Sequence, residues 1–208
     1  GAGVIVARFF GAGDEKNLQR AVHTTVAFGL VAGVLMTGVG VALSPQILRW
    51  MDTPESVMRE SVTYLQIYFA GSLGFVMYNV LVGILQAVGD SRHPLYYLIV
   101  SSVINLVLDL LFITGFHTGV GGAAVATVIS QIVSALLCFW QLLRTKESYG
   151  LKIRKIRFDK GILVQIIKIG LPSGVQNSII AFANVIVQSN INAFGEMAMA
   201  GYGAYTKV

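Results

Sequence analysis

The run LYYLIVSSVINLVLDLLFIT, residues 95–114, decides the fold class. It contains no Lys, Arg or Glu, and its one charge is Asp109. The hydrocarbon core of a bilayer takes about 20 predominantly apolar residues in helical form, which is the length of this run. Residues 24–43 and 120–143 are similarly long and carry no charge at all. Soluble core helices are rarely so long or so evenly apolar. Moving outward, apolar runs set against Gly, Pro and charge punctuation predict spans near 21–43, 61–88, 95–114, 120–143 and 162–194. A helix tail at 1–10 and a stub from 197 flank them. The chain therefore reads as an all-α polytopic membrane protein with five complete spans and two partial ones. The blocks at 61–88 and 162–194 exceed one membrane thickness and predict tilt, kinks or protruding ends. Pro172 is the expected kink site, because it removes one helical donor.

Composition agrees. Of 208 residues, 55% are hydrophobic and 12% charged, against roughly 25% charged in an average soluble domain. Cys138 is the only cysteine, so no disulfide or thiolate cluster forms within the chain. The net charge of +5 does not point to nucleic acid, since the cations gather in RTKESYGLKIRKIRFDK, residues 144–160, between two spans. Short cytoplasmic loops are enriched in Lys and Arg. Residues 144–160 are accordingly expected to face the cytoplasm, with 11–20 and 89–94 on the same side and 44–60 and 115–122 outside. The expected location is the plasma membrane. The connection at 44–60, which holds Trp50, is expected to lie along the interface, and the basic loop is read as a topology signal in preference to a lipid-head or partner site. Neither a Met nor a charged leader opens the chain, and both ends read as cut out of helices.

Asp109 needs an explanation, because an ionised Asp at the centre of a membrane helix costs about 2.5–3.5 kcal/mol on insertion scales. Ser101, Asn105 and Asp109 follow at i, i+4 spacing and share one face. The preceding span repeats Ser72, Asn79 and Gln86, and the following one groups Thr127, Ser130, Gln131 and Ser134. A carboxylate, two amide oxygens and a hydroxyl suit a hard cation such as Na+. The same pocket without a cation raises the Asp pKa by desolvation and makes it a proton acceptor. The alternative for Asn105 and Thr127 is interhelical hydrogen bonding, with Asp109 capping a local network. Polar residues crowd the second half of the 162–194 span, and Gln176, Asn177, Asn184 and Gln188 are candidates to line a water-accessible cavity, since so many amides cannot all face lipid.

Other features read as packing. Gly29 with Gly33, and Gly122, Ala126, Ser130 and Ser134, have the small-xxx-small spacing of close helix contacts. GAG at 11–13 is no nucleotide loop, since no strand precedes it and no GK[ST] follows. His23, His93 and His117 fall at span ends, where a solvated interfacial role is the default. No HExxH, GxSxG, paired intramembrane Asp or Cys/His cluster occurs, which leaves an enzyme or inert scaffold reading little support.

The blocks ARFFGAGDEKNLQRAV, GILQAVGDSRHPLYYLIVSSVINLVLDLLFI, GVGGAAVATVISQ and IKIGLPSGVQNSI together resemble the multidrug and toxic compound extrusion (MATE) family, in its order and spacing over nearly the whole chain. The resemblance implies a twelve-helix, two-bundle transporter, with this chain running from the end of helix 2 into helix 8. Residues 1–143 would belong to the N-terminal six-helix bundle, 144–161 to the basic linker and 162–208 to the start of the C-terminal bundle. The family's N-terminal cation site joins a helix-1 Asp to residues that look like Asn79, Asn105, Asp109 and Thr127. One departure is Ile180, where the NorM-like branch has a helix-7 Glu; the chain looks closer to the DinF-like branch. The resemblance implies a secondary active transporter that needs no cofactor beyond Na+ or H+ as coupling ion. It would export amphipathic or cationic organic compounds by alternating access, with the lipid bilayer and small organic substrates as partners, no nucleic acid, and one chain as the working unit. The alternative is a lipid-linked oligosaccharide flippase of the same superfamily, which would carry cations in its cavity; Lys168 is the one span cation, near a cytoplasmic end.

Overall fold

The computed structural model describes residues 1–51, 53–115 and 119–192. Its helices are α1 (Ala2–Gly11), α2 (Glu15–Trp50), α3 (Glu55–Ala70), α4 (Ser72–Ala87), α5 (Arg92–Leu110, continued by a π turn over Leu111–Gly115), α6 (Gly119–Arg144) and α7 (Lys160–Asn192). Among the described residues, five segments are long and apolar enough to cross a membrane, counting α3 with α4 as one. The stub from 197 and His117 lie outside the described residues.

Local chemistry sets the boundaries. Gly13 at φ 67° turns the chain between α1 and α2, a conformation that costs a residue without Cβ little. Asp14 then caps α2 by accepting the Asn17 amide at 3.1 Å. That backbone bond, reinforced by the Asn17 side chain, holds the Asp14 carboxyl below its ordinary range. Gly89, at φ 85°, ends α4 in the same way. Asp90 accepts the His93 amide at the start of α5 and faces the His93 ring at 2.7 Å.

Two expectations about connections are corrected. The interfacial loop expected at 44–60 is helical for most of its length: α2 runs through Pro45 to Trp50 and α3 begins at Glu55. A proline with no amide to donate is tolerated there while the rest of the ladder holds. At about 1.5 Å per residue the 36 residues of α2 reach about 54 Å, well past the roughly 30 Å hydrocarbon core. The expected loop at 11–20 likewise shrinks to a turn at 12–14, because Asp14 caps a helix there. The single span expected at 61–88 divides at Gly71 into α3 and α4.

Residues 2–166 form one compact unit. Its core gathers Ile5 and Val6 of α1, Leu18, Val22 and Val26 of α2, Leu81, Ile84 and Leu85 of α4, and Cys138 and Leu142 of α6. The most extensive packing joins α2 with α4, α5 with α6, α4 with α6 and α2 with α3. Glycines permit it. A Cβ on Gly33 would lie 2.7 Å from Leu73 Cδ1 and 3.1 Å from its Cα, and one on Gly29 would meet Val80 at 3.0 Å, as the small-residue spacing leads one to expect.

α5 is inverted relative to a soluble helix. Ser101 is buried while Leu95, Leu98, Ile99, Val103, Leu106, Val107 and Leu110 are exposed. Water would reject such an arrangement, whereas lipid accepts it.

The basic linker folds back on the start of α2. The Leu151 amide donates to Leu142 O at 2.8 Å, and Leu151 is buried. Gln19 Nε2 donates to the carbonyls of Ser148 and Gly150. His23 Nε2 accepts the Lys152 amide at 3.0 Å, so its Nδ1 carries the proton and donates to Gln19 O at 2.6 Å. Thr24 Oγ1 accepts the Asp159 amide at 3.1 Å and donates to Arg157 O at 3.4 Å. His23 is thus 3% exposed, which corrects the solvated role expected from its place at a span end: the returning linker covers it. Asp159 accepts from Arg20 and caps α7 through the Ile162 amide at 3.1 Å. The Ile162 bond first, and then Arg20, hold its carboxyl below the usual range. From Ile167 onward α7 belongs to a second compact unit.

Candidate functional site

The α5 stripe sits against α6. Ser101 Oγ donates to Ser130 O at 2.7 Å, and both residues are buried. The two helices form an antiparallel pair, so each turn up α5 from Ser101 meets a turn of α6 nearer its start. Gly122, Ala126, Ser130 and Ser134 are buried along α6, and their small side chains admit α5 closely.

Asn105 and Asp109 are each half-buried. Asn105 Nδ2 and Asp109 Oδ1 are both shielded from solvent and, among the described residues, have no hydrogen-bond partner. A buried polar atom left without a partner costs about 1–3 kcal/mol, and two such atoms one helical turn apart mark a place that a further group would satisfy. The oxygen and nitrogen of an Asn amide are exchanged by a simple flip, so the Asn105 turn can also present an acceptor.

The other candidates are placed differently. Thr127 is half-buried, with its hydroxyl donating to Ala123 O at 3.0 Å. Asn79 is exposed on α4 and donates to Phe75 O at 2.8 Å. Both side chains bond back to their own helix, in the i−4 manner of polar residues in apolar helices. Gln176, Asn177 and Asn184 are exposed on α7 in the second unit. Gln176 shares a shallow groove with Leu171, Pro172, Val175, Ile179 and Ile180. The side chain of Gln188 lies outside the described residues.

Sequence reading missed the polar posts Gln19, His23 and Thr24. Their signal was an i, i+4, i+5 polar face just inside an apolar run, opposite a loop rich in free carbonyls and amides. Among the described residues no group of His, Cys, Asp and Glu assembles to hold a metal; a site for Na+ would draw on amide, hydroxyl and carboxylate oxygens instead.

An inverted helix bearing a shielded carboxylate, inside a bundle of membrane-length helices, defines a polytopic α-helical membrane protein. The MatE family profile matches residues 1–111, and the chain belongs to that family. It is 32% identical to the probable multidrug resistance protein YoeA of Bacillus subtilis, over 100% of this chain and 46% of the relative. It also resembles an outward-facing multidrug resistance MATE family transporter of the MOP superfamily, with a TM-score of 0.86, 27% identity, and coverage of 97% of this chain and 45% of that one. An inward-facing counterpart gives a TM-score of 0.76 at 28% identity, covering 83% and 39%. The chain spans about half the length of these relatives.

Proposed function

We propose that this chain supplies much of one bundle, and the opening of a second, in a cation-coupled exporter of amphipathic or cationic organic compounds. The observation that carries the proposal is the unpartnered pair Asp109 Oδ1 and Asn105 Nδ2 within a membrane-length helix. An ionised carboxylate shielded there is relieved by Na+ or by a proton. Asp109 holds the incoming positive charge, Asn105 and Thr127 complete the oxygen set, and Asn79 joins them when α4 and α5 close on the ion. The exported compound exploits the state without the ion, so one positive charge is traded for another across the membrane.

Likeness to both an outward-facing and an inward-facing transporter supports alternating access, and the name of the Bacillus relative supports the drug-like substrate class. Gln176, Asn177, Asn184 and Gln188 would line the aqueous path on the α7 side. The basic linker at 144–160 faces the cytoplasm in this reading, by the positive-inside rule, and the bilayer is the plasma membrane.

The test is efflux of a cationic dye by the intact protein in proteoliposomes, under separately imposed Na+ and pH gradients. Wild type expels dye under one of them, and Asp109→Asn expels none while inserting normally. Full gradient-driven efflux by Asp109→Asn would remove Asp109 from the mechanism.

A further inference from the structure

At the linker end of the first unit lies a cavity of about 630 Å³, distinct from the α5 site. Lys16 of α2 and Arg154, Lys155 and Arg157 of the linker line it, with Arg20 and Asp159 on one wall. Asp159 is the one carboxylate among its lining residues and is already bonded to Arg20. The other cations are exposed and, among the described residues, form no salt bridge with an acid. Like charges gathered in one concavity repel each other and raise the local concentration of anions.

A mere topology signal needs a number of cations, not a fixed place for them. Here their placement is fixed. The 3-10 turn Ile153–Lys155 and the strand of chain after it are pinned on both sides, at Lys152 by His23 and at Arg157 and Asp159 by Thr24. Two buried polar side chains of α2 thus fix the backbone that displays a row of guanidinium and ammonium groups. Guanidinium groups match phosphate oxygens in paired hydrogen bonds.

The same segment carries exposed apolar side chains. Ile153 is 62% exposed and Phe158 46% exposed, at either end of the cationic row. Apolar residues beside Lys and Arg, at the end of a membrane bundle, are what the headgroup region of an anionic leaflet receives. A soluble phosphate would find no use for them.

We infer that this cavity seats the phosphate of an anionic glycerophospholipid, held by Lys16, Arg154, Lys155 and Arg157, while Ile153 and Phe158 enter the acyl boundary beside it. The lipid bridges linker and α2 from outside, as Gln19, His23 and Thr24 bridge them from within. The inference rests on the chain's place in a membrane and is independent of the transport reading.

The experiment is lipid binding by the intact protein in detergent, followed by native mass spectrometry, with phosphatidylglycerol, phosphatidylcholine and soluble glycerol 3-phosphate as ligands. Wild type is expected to retain phosphatidylglycerol about tenfold or more over phosphatidylcholine, with soluble glycerol 3-phosphate unable to compete. The variant R154Q/K155Q/R157Q should lose that preference with its melting temperature unchanged in the absence of lipid, since the pinning bonds use backbone atoms. Equal retention of the two lipids, or a triple variant that keeps the preference, overturns the site. Full competition by glycerol 3-phosphate overturns the lipid as its occupant. Should the triple variant not fold, the salt dependence of wild type decides: retention of phosphatidylglycerol falls between about 50 and about 300 mM salt if phosphate contacts carry it, and salt-insensitive retention refutes them.

Discussion

The Ser101 hydroxyl donates to the Ser130 carbonyl at 2.7 Å across the α5 and α6 contact, one helical turn from Asn105 and two from Asp109 along α5. Ser134 also donates to the Ser130 carbonyl, at 3.2 Å. Ser101→Ala therefore leaves that oxygen satisfied, and the expected loss is about 0.6–1 kcal/mol, typical of interhelical hydrogen bonds in membranes. Denaturation of the intact protein in mixed micelles measures it. A loss much beyond about 2 kcal/mol would mean that Ser101 does more than join the two helices.

Removing the charge at Asp109 should not harm the fold. Asp109→Asn abolishes an insertion cost of about 2.5–3.5 kcal/mol for the ionised form, so the variant is expected to melt at or above the wild-type temperature. Any stabilisation of wild type by Na+ or by lowered pH should vanish with it. Thermal melts across Na+ concentration and pH read both effects without any transport assay. An Asp109→Asn variant that unfolds would instead make the carboxylate a structural cap.

Gly71, at the division between α3 and α4, packs against a stiff neighbour. A Cβ there would fall 2.4 Å from Val128 Cγ2 and 3.0 Å from its Cβ, and a β-branched side chain has little freedom to turn aside. Gly71→Ala is expected to cost about 1–3 kcal/mol by overpacking. Adding Val128→Ala should recover most of the loss, because it removes the clashing methyls. No recovery in the double variant would assign the effect to the backbone at Gly71.

The linker clamp should respond to acid. The Asp159 carboxyl is held below its ordinary range by the Ile162 amide and Arg20, so its contribution is fully present above the unfolded carboxylate value and fades as pH falls through the lower folded one. Trypsin cleavage within residues 152–157 is expected to be slow at neutral pH. The protection of the Ile162 amide, read as its exchange rate relative to an unprotected amide at the same pH, should fall below about pH 4. Asp159→Ala should show the loosened behaviour at neutral pH, and so should His23→Ala, which orphans the Lys152 amide. Unchanged protection in both variants would show that the Gln19 and Thr24 bonds and Leu151 burial suffice to hold the linker.

The spans were legible because long uncharged runs have few other homes, and the spacing of Gly29 and Gly33 signalled a close helix contact, though not that α4 makes it. Asp109 stood out because nothing else in its run is charged. The orphaned state of Asn105 Nδ2 and Asp109 Oδ1 was not legible, since it depends on what α6 fails to offer. The helical course of 44–60 was hidden by Pro45 and by the polar residues around Trp50, which read locally as an interface loop. The clamp was the least legible feature: Gln19, His23 and Thr24 find partners far along the chain, and no local pattern specifies which backbone amides and carbonyls return to them.

Fully extended, the 17 residues from Arg144 to Lys160 would reach about 56–61 Å, ample rope for two bodies to drift apart. Fastening at Gly150, Lys152, Arg157 and Asp159 takes up nearly all of it. The segment is therefore a strap bolted along the first unit and not a loose leash, with the buried imidazole of His23 among its anchor bolts.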